Sequence, residues 1–114
     1  PEVMYSDKKE IVDTVKEKCN VPALYIFNTQ NNRFLDDIYL FSILDESYIA
    51  KDIDCTEESI KSILNNKDVS KGIILFINEG NDNDKIINTI IKAENLNKCT
   101  YLKRLNAADA YYIE

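Results

Sequence analysis

The sequence contains no histidine and no tryptophan, and only two glycines and two prolines. Without histidine, Ser-His-Asp and Cys-His catalytic arrangements, HExxH zinc sites and histidine proton shuttles are excluded. Gly72 and Gly80 are too few to form the GxGxxG or GxxxxGK loops that cradle phosphates. These absences favour a binding role over catalysis, and we expect no enzymatic activity and no cofactor.

The length of 114 residues, with 45% hydrophobic and 30% charged residues, is typical of a single globular domain spanning 1–114. No apolar run approaches the roughly 18 residues of a membrane span, and no secretory signal pattern is present. We therefore expect no membrane association.

The three cysteines, Cys19, Cys55 and Cys99, are far apart and form no CxxC pair. This spacing argues against a disulfide framework and against a zinc site. We interpret each cysteine as a small buried apolar residue in a reducing compartment, which favours a cytoplasmic location.

Negative charge is concentrated in the first half of the chain. Residues 1–57 carry 6 basic and 12 acidic side chains, whereas residues 58–114 carry 8 of each, so the net charge of −6 belongs to the first half. A nucleic-acid binder needs a basic footprint, which is missing, so we expect a protein partner, with a neutral or basic surface. The candidate partner surface comprises acidic residues and a tyrosine pair expected to be exposed near the C-terminus: Asp36, Asp37, Asp45, Glu46, Tyr111 and Tyr112.

Apolar stripes and apolar runs alternate along the chain. They predict helices over 7–19, 54–65 and 84–96, and strands over 23–28, 48–53, 72–78 and 100–105. Residues 33–45 favour a helix, but a strand that forms a hairpin with 23–28 is the alternative. Residues 107–113 are predicted as a short helical turn or an edge strand.

This alternation predicts an α/β three-layer sandwich, with about four mainly parallel strands and helices on both faces, flavodoxin-like or thioredoxin-like. The order of helix, strand and loop over 7–32 matches a thioredoxin-like layout. A working oxidoreductase would need CxxC near 29–33, where ThrGlnAsnAsnArg stands. A redox-inactive thioredoxin-like domain therefore stays open.

Two strand ends share a polar pattern at an offset of 50 residues, with Asn28 matching Asn78 and Asn31 matching Asn81. If these strands are neighbours in a parallel sheet, the loops 28–32 and 78–84 form the crevice in which α/β domains bind ligands. Asparagine at a strand end is alternatively a helix cap or a turn residue. The candidate ligand-binding residues are Asn28, Thr29, Asn31, Asn78, Asn81 and Asp82.

Two other features suggest chemistry but have simpler explanations. The acidic run 52–58 could bind Mg²⁺, yet Asp54 to Glu57 has the spacing of a helix capping box, so we expect no metal. Pro1 could act as a general base, but tautomerases of that kind begin with a strand, whereas a helix is predicted here.

We recognise no known family in these patterns. The best hypothesis is a non-catalytic cytoplasmic α/β domain that acts as a protein-interaction or regulatory module. The alternatives are a small-ligand-binding domain or weak enzyme that uses the two strand-end loops, and the redox-inactive thioredoxin-like domain. A homodimer through an open edge at 100–105 is also left open.

Overall fold

A computed structural model describes residues 13, 22–27, 47–51, 55–78, 80–104 and 108–114. The elements in chain order are β1 (Ala23–Phe27), β2 (Ser47–Lys51), α1 (Glu57–Ile63), β3 (Ile73–Asn78), α2 (Asn83–Glu94), β4 (Cys99–Arg104) and β5 (Ala108–Ile113). The predicted strands over 23–28, 48–53, 72–78 and 100–105 and the predicted helices over 54–65 and 84–96 are thus confirmed where their residues are described. The predicted helices over 7–19 and 33–45 lie outside the described residues, apart from Asp13, which is helical.

The five strands form one mixed sheet in the order β2-β1-β3-β5-β4. β1 pairs in parallel with both β2 and β3, whereas β5 pairs antiparallel with both β3 and β4. The α/β class is confirmed, but the described pairings are half parallel and half antiparallel rather than mainly parallel. The C-terminal segment is also neither a helical turn nor an edge strand, because β5 lies inside the sheet.

The core is built on β3, whose six residues are all buried. Successive strand residues point to opposite faces of a sheet, so Ile73, Leu75 and Ile77 share one face. On that face they join the buried residues of both helices in a single apolar cluster. α1 and α2 also contact each other. The described helices therefore cover the same face, and a helical layer on the second face is not confirmed.

The second face of the sheet is nevertheless buried at its centre. Ile74 and Phe76 of β3 and Ala110 of β5 have no exposed surface. Register places Ala110 opposite Phe76, and Ala108 opposite Asn78. This face therefore combines large side chains on β3 with the small Ala108 and Ala110 on the neighbouring strand, whereas the large Tyr112 lies opposite Ile74.

Both helices begin at capping side chains. Thr56 accepts a hydrogen bond from the Ser59 backbone N–H at 3.2 Å and is the N-cap of α1, so the predicted capping role of Asp54 is wrong. Asp82 accepts from the Lys85 N–H at 3.2 Å and is the N-cap of α2. Within the described part of the chain, neither helix has the length and apolar character needed to cross a membrane.

Gly72 lets β3 begin tightly against the C-terminal strand. Its φ of +103° belongs to the region that favours glycine. A Cβ atom there would lie 2.6 Å from the Ile113 carbonyl oxygen and 2.8 Å from the Tyr112 ring. The Tyr112 hydroxyl donates a hydrogen bond to the Lys71 carbonyl beside it. This glycine thus allows β3 and β5 to pack closely.

Candidate functional site

The carboxyl ends of β1 and β3 lie side by side. The two strands are parallel neighbours, and Ile26 is paired with Ile77, so both strands end at the same edge of the sheet. The next strand after β1 lies on one side of it, while the strands after β3 lie on the other. The strand order therefore reverses between β1 and β3, which is where open α/β sheets bind ligands. The sequence-based condition that these strands are neighbours is confirmed.

Asn78 ends β3 at this switch point with an unusual environment. It is a polar residue with a fully buried side chain. Neither Oδ1 nor Nδ2 has a hydrogen-bond partner among the described residues. A buried amide without partners is uncommon, because it loses its hydrogen bonds to water without replacing them. Burial of the Asn78 amide therefore costs desolvation free energy that no described hydrogen bond offsets.

The loop that follows β3 is polar and tightly turned. Gly80 has a φ of +93°, which a turn here requires. Asn81 donates from Nδ2 to the backbone carbonyl of Asn78 at 2.6 Å, and its own Oδ1 is a buried acceptor without a partner within the described ranges. Three amide atoms of Asn78 and Asn81 are therefore unpaired at one end of β3.

Charge at the start of α2 is negative. Asp82 caps the helix, and Asp84 lies in its first turn, where both carboxylates interact favourably with the positive end of the helix dipole. Asp82, a candidate ligand residue, is thus engaged with the Lys85 N–H. Two carboxylates at this position disfavour an anion. In the described ranges no group of three or more Cys, Asp or Glu side chains is arranged to hold a metal ion.

A second polar cluster joins α2 to the β4–β5 hairpin, around Asp109. Asn83 donates to Asp109 Oδ2 at 3.0 Å and to the Tyr111 hydroxyl at 2.9 Å. Tyr101 donates to Asp109 Oδ1 at 3.2 Å, and Arg104 to Asp109 Oδ2 at 3.1 Å. Because the polar atoms of this cluster are hydrogen-bonded to one another, it fixes the hairpin against the helix. Sequence reasoning missed Asn83 and Asp109, since no local pattern connects residues 26 positions apart.

The tyrosines of this cluster are packed edge to face. The ring centroids of Tyr101 and Tyr111 lie 5.4 Å apart with an interplanar angle of 69°. Burial is the main cause that raises the pKa of each hydroxyl, and the hydrogen bond from Asn83 partly opposes this for Tyr111. Both phenols are therefore protonated at neutral pH and act as hydrogen-bonding groups.

The remaining candidates are distributed as follows. Tyr112 is only 9% exposed and Tyr111 is half-buried, so the exposure expected for this pair is not found. Seven candidate residues lie outside the described part of the chain: Asn28, Thr29, Asn31, Asp36, Asp37, Asp45 and Glu46.

Two of the cysteines lie in the described part of the chain. Cys55 and Cys99 pack against the apolar core as predicted, but they are half-buried rather than buried. Burial raises the pKa of the Cys99 thiol, which keeps it protonated and unreactive at neutral pH.

Comparison with known proteins identifies no relative of this chain. A scan against protein-family models finds no match, and searches of curated proteins and of solved structures find none either. A function is therefore argued from the geometry around Asn78 and Asn81.

Proposed function

We propose that this protein is a small-molecule-binding module whose site lies at the carboxyl ends of β1 and β3. The observation that carries the proposal is the fully buried Asn78 amide with neither polar atom paired. Native proteins rarely leave such groups unsatisfied unless the group serves binding or catalysis. A ligand that pairs with this amide recovers the hydrogen bonds that folding removed.

The position of the amide supports the same function. Asn78 lies where the strand order reverses, and Asn81 adds a second unpaired acceptor in the adjoining loop. Ligand sites in α/β sheets favour this location because the connections on either side diverge there. Of the residues predicted from sequence, Asn78 and Asn81 belong to the proposed site, whereas Asp82 is a helix cap.

A fragment screen by NMR on ¹⁵N-labelled protein tests the proposal. We expect fragments that shift the Asn78 side-chain amide and the backbone amides of Gly80 and Asn81. These shifts are expected to disappear in Asn78→Leu and to persist in Asn88→Leu, a matched control at an exposed position of α2. Fragments that bind with equal affinity to wild type and Asn78→Leu, or a screen with no fragment at this end of the sheet, would contradict it.

A second candidate, the protein-interaction module, is favoured by Tyr101. This tyrosine is 52% exposed and lies on β4, an edge strand of the sheet. Exposed tyrosines at a sheet edge are suited to anchor a partner. In this proposal the contact surface moves from the Tyr111–Tyr112 pair to Tyr101, and the partner is a second copy or a basic protein in the cytoplasm.

Light scattering over a concentration series tests the second copy as the partner. We expect a dimer that weakens in Tyr101→Lys, because a lysine at an edge disfavours pairing between sheets. A monomer at every concentration would contradict self-association. The redox-inactive thioredoxin-like domain stays a prediction.

A further inference from the structure

We propose that the ligand is an uncharged planar molecule with a hydrogen-bond donor next to an acceptor, as in the edge of a nucleobase or an amide. This inference rests on the proposed binding function at Asn78 and Asn81. It adds the chemical class of the ligand, which follows from the pairing pattern, the charge and the size of the neighbouring side chains.

The pairing pattern comes from the Asn78 amide. Its Oδ1 is an acceptor and its Nδ2 carries two N–H donors in the same plane, and both atoms are unpaired. The complement is a group with one donor and one acceptor side by side, which forms two parallel hydrogen bonds. Asparagine pairs in this bidentate manner with the N6 and N7 edge of adenine, and an amide offers the same pair of atoms.

The charge of the ligand follows from what surrounds the amide. Asn78 and Asn81 are neutral, and the charged residues of the adjoining stretch 80–85 are Asp82, Asp84 and Lys85, a net charge of −1 from two acids and one base. A buried ion needs an opposite charge, which the asparagines do not supply. The two carboxylates also neutralise the helix terminus that would otherwise attract phosphate. The part of the ligand that contacts Asn78 is therefore uncharged.

The shape of the ligand follows from the sheet face that Asn78 shares. Phe76 lies two residues earlier on the same face, while Ala108 and Ala110 of β5 lie opposite Asn78 and Phe76. These side chains make the neighbourhood of the Asn78 amide apolar, and a planar group that forms two parallel hydrogen bonds with this amide is therefore expected to be a flat ring or an amide with an apolar body. Because Asn78 is fully buried, access requires local opening of the fold, and we expect slow association.

Isothermal titration calorimetry with four probes tests the ligand class. Adenine and nicotinamide carry the adjacent donor and acceptor, 9-methylpurine carries ring acceptors but no N–H donor, and AMP adds a ribose and a phosphate to adenine. We expect adenine or nicotinamide to bind, and 9-methylpurine to bind at least about tenfold more weakly than adenine because it has no donor for Asn78 Oδ1. Tighter binding of adenine would indicate a nucleobase ligand, and tighter binding of nicotinamide would indicate an amide ligand. AMP is expected to bind more weakly than adenine.

Two variants connect binding to the residues. Asn78→Leu keeps the side-chain size, and we expect it to fold and to bind at least about tenfold more weakly, whereas Asn88→Leu binds as the wild type does. Asn81→Ala, at a half-buried position, is a second variant that removes the unpaired acceptor together with the hydrogen bond from Asn81 Nδ2 to the Asn78 carbonyl, and we expect weaker binding there as well.

The outcomes separate the ligand class from the proposed function. Binding of AMP or inorganic phosphate in preference to adenine would overturn the proposed ligand class. Fragments that need Asn78 but lack a donor–acceptor pair would overturn it too. Either result would still support a binding site at Asn78. No binding of adenine or nicotinamide, together with a fragment screen that is insensitive to Asn78→Leu, would overturn the site and the class together.

Discussion

Asn81 donates its side-chain N–H to the backbone carbonyl of Asn78 at 2.6 Å, while the side chain of Asn78 has no partner among the described residues. The contact orders the loop against the end of β3 without using the Asn78 amide. A loop that served only to satisfy this strand end would be expected to pair that amide as well. The arrangement therefore favours a recognition group over a structural one.

The first prediction concerns Gly72. We expect Gly72→Ala to destabilise the protein by about 2–4 kcal/mol, because alanine is strained at positive φ and its Cβ meets the Ile113 carbonyl and the Tyr112 ring. Urea denaturation followed by circular dichroism measures the change. Gly80→Ala is the control, since Gly80 also has positive φ but is exposed, and a loss of about 1–2 kcal/mol is expected there. Equal losses at the two glycines would contradict the close packing at Gly72.

The second prediction concerns Asp109, which accepts hydrogen bonds from Asn83, Tyr101 and Arg104. We expect Asp109→Ala to cost roughly 1.5–3 kcal/mol, because the half-buried Asn83 amide loses a charged acceptor. A double-mutant cycle with Asn83→Ala is expected to show a coupling energy of about 1 kcal/mol. The control is the exposed ion pair of Lys98, at 3.7 Å from the Glu114 carboxylate, where Lys98→Ala should change stability by less than about 0.5 kcal/mol. Additive effects at Asp109 and Asn83 would show that the cluster is not cooperative.

The third prediction is a loss of stability at alkaline pH. Burial raises the pKa of Tyr111 and Tyr112 above the ordinary 10.0, and that of Cys99 above 9.0. Between the ordinary and the raised values the unfolded chain has lost protons that the folded chain still holds, so the free energy of unfolding falls as pH rises. The stabilising contribution is therefore fully present below about pH 9 and is lost progressively above it.

Urea denaturation at a series of pH values, with the absorbance of tyrosinate as a second readout, measures this loss. Tyr111→Phe removes one of the titrating groups and should reduce the slope of stability against pH, whatever its effect on stability at neutral pH. A stability that is constant from about pH 8 to about pH 11 would contradict the burial of these side chains.

The elements that could be predicted from sequence are those whose patterns are local. The continuous apolar run of β3 and the apolar stripe of α2 each define their element without reference to the rest of the chain. β5 is harder to predict, because its segment mixes small, charged and aromatic residues and becomes an interior strand only through pairing with β3 and β4. The sequence predicts Asp54 as the cap of α1, whereas the cap is Thr56, because several residues at that point can cap a helix.

The candidate site could be predicted in part, because the asparagine pattern that marks it is also local in the sequence. The repeated asparagine pattern identified Asn78 and Asn81, and the condition that β1 and β3 are neighbours is met. The burial of Asn78 could not be predicted, since it depends on the alternation of faces in β3 and on the alanine that lies opposite in β5. Asp82 has the residue type of a ligand group but caps α2, and such choices depend on where a helix begins.

The central claim is that the Asn78 amide is kept unpaired for a ligand, and the thermal stability of ligand-free Asn78→Leu tests it most directly. Leucine fills a similar volume without the cost of an unpaired amide, estimated at about 1–3 kcal/mol, so we expect a midpoint of unfolding that is higher than the wild type's by several degrees. Asn88→Leu, at an exposed position, should leave the midpoint almost unchanged. A midpoint for Asn78→Leu that is lower than the wild type's by a similar amount would show that the amide has structural partners, and would contradict the account.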